Sequence, residues 1–292
     1  MKMRNQVRTI VLLGLLSTVL VVVGGSLGGG WLLGAIVFAV ALNLGAWLFS
    51  DRLVLRSTGA QEVSAAEMPR LHELVAQLAR RAGLPMPTVA VVPSDEPNAF
   101  ATGRSPERAV VAVSAGLLRL LDERELRGVI AHELAHVKNR DTLVATIAAM
   151  MASAVSGIAQ VVQFGALFGG QSEEEEQGQG GGLLFALLAP IAATLVQLGI
   201  SRQREFLADA TGAEIAGDAE GLAAALQKIE SVAQRRADSG EAGETHPATV
   251  ALGIASPVMG GGFARWFSTH PPVAERVARL RLLDPATFAR AA

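Results

Sequence analysis

Three stretches of this chain hold no charged residue: Arg8 to Asp51, Asp141 to Glu173 and Glu176 to Arg202 are each bare between their end points. A helix needs about 20 apolar residues to cross a bilayer, so every gap is long enough for at least one crossing. The first gap divides at Gly28, Gly29 and Gly30 into residues 9–27 and 31–49, which predicts two helices joined by a tight turn. The other two predict spans at about 142–169 and 183–200. Their linker, GGQSEEEEQGQGGG, has the acidic, glycine-rich composition of a solvated loop. Lys2, Arg4 and Arg8 before an apolar run also resemble the start of a secretory signal. No small-residue cleavage site follows and the second apolar stretch begins at once, so the segment is expected to be retained.

The positive charges sort by side. Of 25 Lys and Arg, three precede the first span, twelve lie between Arg52 and Arg140, ten follow from Arg202 onward, and the two short connections hold none. The side rich in Lys and Arg is the cytoplasmic one, so both termini and the central block are expected in the cytoplasm. The expected organisation is a transmembrane hairpin over 1–50, a cytoplasmic part over 51–141, a second hairpin over 142–200, and a second cytoplasmic part over 201–292. Removing the spans leaves roughly 200 residues, enough for one domain with its own core. A net charge of −2 and a pI near 6.2 give no electrostatic case for nucleic acid. With no cysteine, disulfides, thiolate zinc sites and cysteine nucleophiles are excluded.

Within the cytoplasmic parts, Leu71, Leu74, Val75 and Leu78 recur at helical spacing, predicting an amphipathic helix over 67–82 that stops at Gly83 and Pro85. Residues 88–92 and 109–113 read as strands, residues 97–103 (PNAFATG) as a further extended segment, and 117–121 as a short helix. Helices are expected at about 202–216, 221–233 and 272–282, with a Gly/Ala-rich stretch over 239–263 whose role the sequence leaves open. His72 falls on a charged helix face and reads as a surface residue.

The chemistry concentrates in DERELRGVIAHELAHVKNR, from Asp122 to Arg140. Asp122 and Glu125 have the spacing of a capping box, and the helix is expected to continue to the first residue of the third span. Residues four apart on a helix lie about 40° from each other, so His132 and His136 face the same way and can share a metal ion. Glu133, turned about 100° from His132, stands beside that ion without binding it. Zinc lowers the pKa of a bound water to about 7, and a neighbouring carboxylate can then move its proton, which is what peptide hydrolysis requires. With five His and 19 Glu in the chain, this spacing arises by chance about once in two hundred such sequences; two histidines in an otherwise apolar stripe would also be odd core residues without a metal.

A catalytic zinc needs a third protein ligand. The segment after His136, VKNRDTLV, lacks the third histidine of the metzincin pattern, so the ligand must come from elsewhere. SRQREFLADATGAE, just after the fourth span, offers Glu205 and Asp209 at i and i+4. Spans three and four form a hairpin with adjoining cytoplasmic ends, so at 1.5 Å per residue Glu205 rises to about the height of the two histidines. Asp209 would lie one turn further out, suited to accept the second N–H of a ligand histidine. The alternative for both is a solvated face beside Arg202 and Arg204.

VIAHELAHVKNRD, SRQREFLADATGAEIAG, the upstream NAFATG and the downstream THPPVAERVARL, in this order and with four spans in these places, resemble the HtpX membrane zinc metalloproteases, relatives of the CAAX prenyl endopeptidases. The resemblance covers nearly the whole chain. It implies a mainly α fold: four transmembrane helices in two hairpins and a cytoplasmic zincin-like catalytic domain of the gluzincin type with a small β-sheet. It implies one Zn2+ per chain on His132, His136 and Glu205, with Glu133 as general base and Asp209 supporting a ligand histidine. His270, Pro271 and Arg276 match the family's His-Pro segment with an Arg six residues after the His, which makes His270 and Arg276 the candidates for stabilising the oxyanion. His246-Pro247 has Leu252 at the corresponding place and does not match. Asn98 falls where relatives present an edge strand to substrate. The expected function is a metalloendopeptidase in the cytoplasmic membrane that degrades misfolded or damaged membrane proteins as quality control under stress. A non-enzymatic membrane scaffold or transporter with a structural metal is the rival, although a transport path usually needs ionisable residues that these spans lack.

Overall fold

The computed structural model of the chain describes residues 54–142, 202–239 and 271–283, together with residues 33, 34, 36, 37, 40, 41 and 52. Nearly all of the four expected spans, His246, His270 and the Gly/Ala-rich stretch lie outside the described residues. Among the described residues no helix is long and apolar enough to cross a membrane.

The sheet has four strands, β1 (Gln61–Glu62), β2 (Thr88–Val92), β3 (Ala99–Thr102) and β4 (Val110–Ser114), in the order β1-β2-β4-β3. β2 and β4 are parallel; the outer pairs are antiparallel. Side chains alternate across a strand, and the sequence uses both faces: Val89, Ala99, Ala101, Val111 and Val113 enter the main helical core, while Ala90, Val92, Phe100, Val110 and Ala112 pack on Val54. β4 is buried at all five positions, which is why it reads as an uninterrupted apolar run.

Beside further helical residues before β1 and a single 3-10 turn at Pro106–Arg108, six α-helices follow: α1 (Pro69–Ala82), α2 (Ala115–Leu120), α3 (Glu123–Asn139), α4 (Arg202–Ala216), α5 (Ala219–Asp238) and α6 (Val273–Arg281). α3 is central, packed against α1, α4, α5 and β3. The capping box at its start is formed: Glu125 N–H donates to Asp122 Oδ1 at 2.9 Å, and Asp122 N–H donates to Glu125 Oε2 at 3.0 Å. Glycines let the helices approach. A Cβ on Gly212 of α4 would stand 2.8 Å from His132 Cα, and one on Gly128 of α3 would stand 2.6 Å from the backbone nitrogen of Leu222 in α5.

Three sequence expectations change. α3 does not run on into the third span but stops at Arg140, whose φ of 58° puts it in the left-handed region. α5 continues five residues beyond 233, along a polar, exposed surface that shows no apolar period. His72 is half-buried, with Nε2 2.7 Å from the Val63 carbonyl oxygen, and so ties α1 to the chain after β1.

Candidate metal centre

His132 and His136 leave adjacent turns of α3, and α4 brings Glu205 opposite them. One ligand atom from each of the three lies within 4.8 Å of the others. The two Nε2 atoms are 3.2 Å apart; Glu205 Oε2 is 3.7 Å from His132 Nε2, and Glu205 Oε1 is 3.6 Å from His136 Nε2. Tetrahedral zinc with bonds of 2.0–2.2 Å requires ligand atoms about 3.3 to 3.6 Å apart, and the separations here, taken over both Glu205 oxygens, run close to that from 3.2 to 3.7 Å. Two ring nitrogens 3.2 Å apart need a hydrogen or a metal between them: one ring donates its Nε2–H to the other, or both turn their lone pairs to a metal. The residues fit a divalent metal.

The electrostatics agree. Burial pushes His132 down to about 4, against the opposing pull of Asp209. Burial also lowers His136, but the carboxylates of Glu205, Asp141 and Glu133 outweigh it and raise the ring to about 9. Without a metal, the site therefore holds its positive charge on His136.

Behind His132 stands Asp209, with Oδ1 2.9 Å from Nδ1. The carboxylate faces Nδ1 of a neutral ring and so favours the tautomer that carries its proton there. Arg276 grips Asp209 with two donors, Nε to Oδ2 at 2.9 Å and Nη2 to Oδ1 at 2.7 Å. Burial raises Asp209, but Arg276 and His132 outweigh it and bring the carboxyl down to about 2. Arg276 is itself fully buried, and its Nη2 comes within 3.5 Å of His132 Nε2.

Glu133 turns to the sheet. Its Oε2 accepts the backbone N–H of Ala101 in β3 at 2.9 Å. Burial raises its carboxyl to about 7, although His136 lowers it. β3 is the outer strand on this side. Ser114 N–H donates to the Asn98 carbonyl, and with Ala99 opposite Val113 the alternation of an antiparallel ladder turns the peptide groups of Ala99 and Ala101 away from β4. Asn98 thus stands at the entrance of an edge that faces Glu133.

One contact has no counterpart in the sequence reading. Asp141 Oδ2 lies 3.4 Å from His136 Nδ1, and Oδ1 lies 4.0 Å from Arg204 Nη1. Both side chains are buried. The sequence offers Asp141 only as the last charge before an apolar gap, and five residues from His136 is a helical neighbour only if the helix ends between them.

A buried His-Glu-x-x-His helix, joined by a carboxylate from a second helix and flanked by the outer strand of a sheet, defines a metallopeptidase. The chain belongs to peptidase family M48, whose model matches residues 65–284. It is a metalloendopeptidase, a hydrolase of peptide bonds. It is 46% identical over 284 residues to the protease HtpX homolog of Syntrophobacter fumaroxidans, covering 96% of this chain and 99% of that protein. The corresponding protein of Ralstonia nicotianae is 48% identical over 281 residues, covering 95% and 96%. Among solved structures, Ste24p of S. mikatae aligns with a TM-score of 0.49 at 17% identity, covering 95% of this chain; the chain spans 65% of that one's length. A non-enzymatic scaffold or transporter has no support in these relations.

Proposed function

We propose that the chain is a membrane-integrated zinc endopeptidase that cleaves misfolded or damaged membrane proteins at the cytoplasmic face. The observation that carries the chemistry is the meeting of His132, His136 and Glu205 within 4.8 Å, beside a Glu133 anchored to the outer strand β3. These three residues would hold one zinc ion per chain, with no cysteine thiolate in competition. When bound, zinc supplies Lewis-acid polarisation and a water acidic enough to react at neutral pH.

Glu133 moves the proton. Ala101 N–H fixes one carboxylate oxygen and leaves the other to take a proton and return it to the leaving amine. A carboxyl raised to about 7 exchanges protons readily near neutrality. A substrate segment adds to β3 as a further strand, hydrogen-bonding the outward peptide groups other than the Ala101 N–H that Glu133 already takes, with Asn98 at the entrance. Arg276, held by Asp209, and His270 are assigned to the negative charge that develops on the carbonyl oxygen. The membrane reading rests on the uncharged stretches. It is supported by the described positions of the second expected span, which are helical and expose Leu33, Val37 and Val40 by more than 60%, as a lipid-facing helix would.

The test is zinc content alongside casein cleavage. Glu133→Ala should abolish cleavage and keep about one zinc per chain, because Glu133 handles protons without ligating. His132→Ala, His136→Ala and Glu205→Ala should lose zinc, since a three-ligand site cannot spare one. Full zinc in Glu205→Ala would move the third ligand elsewhere, with Asp209 the first place to look.

A further inference from the structure

We propose that Asp141 and Arg204 form a clamp that positions His136 for the metal and joins the metal centre to the base of the second membrane hairpin. The inference rests on the metal-site reading above and assigns Asp141 and Arg204 as positioning residues, not catalytic ones.

The first support is backbone geometry. Arg140 is the only non-glycine residue with positive φ among those described, and a side chain in that region is strained. Glycine or asparagine would be the inexpensive cap. The turn lets Asp141 N–H donate to the His136 carbonyl at 2.9 Å and Arg140 N–H to that of Val137 at 3.1 Å. It thereby folds the Asp141 carboxylate back onto the helix it has just left, beside His136 Nδ1 at 3.4 Å. A helix continuing through Arg140 would carry Asp141 about 500° round from His136, on another face.

The second support is the charge arrangement. Asp141 is 3% exposed and Arg204 4%, and buried charges persist when paired. Arg204 immediately precedes Glu205, so the helix that brings Glu205 to one side of the His136 ring, Oε1 to Nε2 at 3.6 Å, brings Arg204 to the carboxylate on the other. The plan repeats that of His132, where Asp209 faces Nδ1 and Arg276 holds Asp209. A carboxylate at Nδ1 keeps the proton there and leaves the Nε2 lone pair for the metal. Asp141 is the last residue before the third expected span, and Arg204 stands just beyond the fourth. The pair closes across the hairpin's base, so parting the two ends would release His136.

The experiment follows zinc release from the full-length protein in detergent into excess chelator, with cobalt-substituted protein giving the ligand-field spectrum. Asp141→Asn keeps the shape and removes the charge; it should release zinc about 10 to 100 times faster than wild type and shift the cobalt bands. Arg204→Gln should move both readouts in the same direction and stands in if Asp141→Asn fails to fold. The double variant should be no worse than the more severe single one, because the residues act as a unit. Thr142→Val removes the adjacent buried hydrogen bond to the Gly103 carbonyl (3.1 Å) and should lower thermal stability while leaving zinc release unchanged. Release within about twofold of wild type in both clamp variants, or equally fast release from Thr142→Val, overturns the clamp. Zinc retained by Glu205→Ala overturns the metal-site reading instead.

Discussion

At the scale of single residues, the central question is which group carries the site's proton before the metal arrives. His136 is raised from its ordinary 6.5 to about 9, so the protonated ring stabilises the metal-free fold fully below 6.5, and that contribution is lost as the pH rises through about 9. Zinc needs the bare Nε2, so between pH 7 and about 9 each ion bound must displace one proton. Zinc affinity should therefore rise about tenfold per pH unit over that range and then level off, as measured by competition with a chelator of known pH dependence. An affinity that is flat with pH would show that His136 does not hold the proton. The metal-free protein should also melt at lower temperature at pH 9 than at pH 6.5. The sequence made His132, Glu133 and His136 legible because a single helical period aligns them, and Glu205 legible because the expected hairpin brings two helix ends together. Asp141 was not legible: its place beside His136 depends on a left-handed residue that no glycine or proline announces. The tight grip of Arg276 on Asp209 was also hidden, since it joins residues 67 positions apart.

At the scale of elements, the site depends on how closely α4 rides on α3. α1, β2, α3 and α4 were readable from apolar period and caps, because each has a clear buried face or a clear stop. β1 was not, being two exposed residues whose pairing with β2 leaves no alternation in the sequence. The close approach itself is written in Gly212. Replacing a helical glycine by alanine ordinarily stabilises by up to about 1 kcal/mol. Here the added Cβ would lie 2.8 Å from His132 Cα and 2.9 Å from its backbone nitrogen, and backbone atoms cannot rotate away as a side chain would. Overpacking of this kind costs about 1 to 3 kcal/mol, which outweighs the propensity gain. Gly212→Ala should lower the melting temperature by several degrees, and the rise in melting temperature produced by zinc should shrink, because Glu205 moves away with α4. If Gly212→Ala proves as stable as wild type with full zinc, α4 has slack that this packing does not show.

At the scale of the whole molecule, the charge pattern and the clamp make one argument about topology. Asp141 and Arg204 come within 4.0 Å of each other, so the chain between them leaves and re-enters the described part at neighbouring points. A segment whose two ends meet on one side of a membrane crosses it an even number of times, and the uncharged stretches on either side of the Glu173 to Glu176 run are long enough for one crossing each. The twelve positive charges between Arg52 and Arg140, set against none in the acidic loop, assign the sides. A reporter inserted near Ser105 and one fused after Ala292 should both report cytoplasm, whereas one in the Glu173 to Glu176 run should report the outside. Arg-rich substitution of that acidic run should weaken the outward signal, because the rule acts through Lys and Arg and not through net charge. A cytoplasmic signal from the unaltered loop would mean that the segment never crosses. The zinc site would then belong to a protein anchored by its first expected hairpin alone, and the clamp would join two helices without governing a second one.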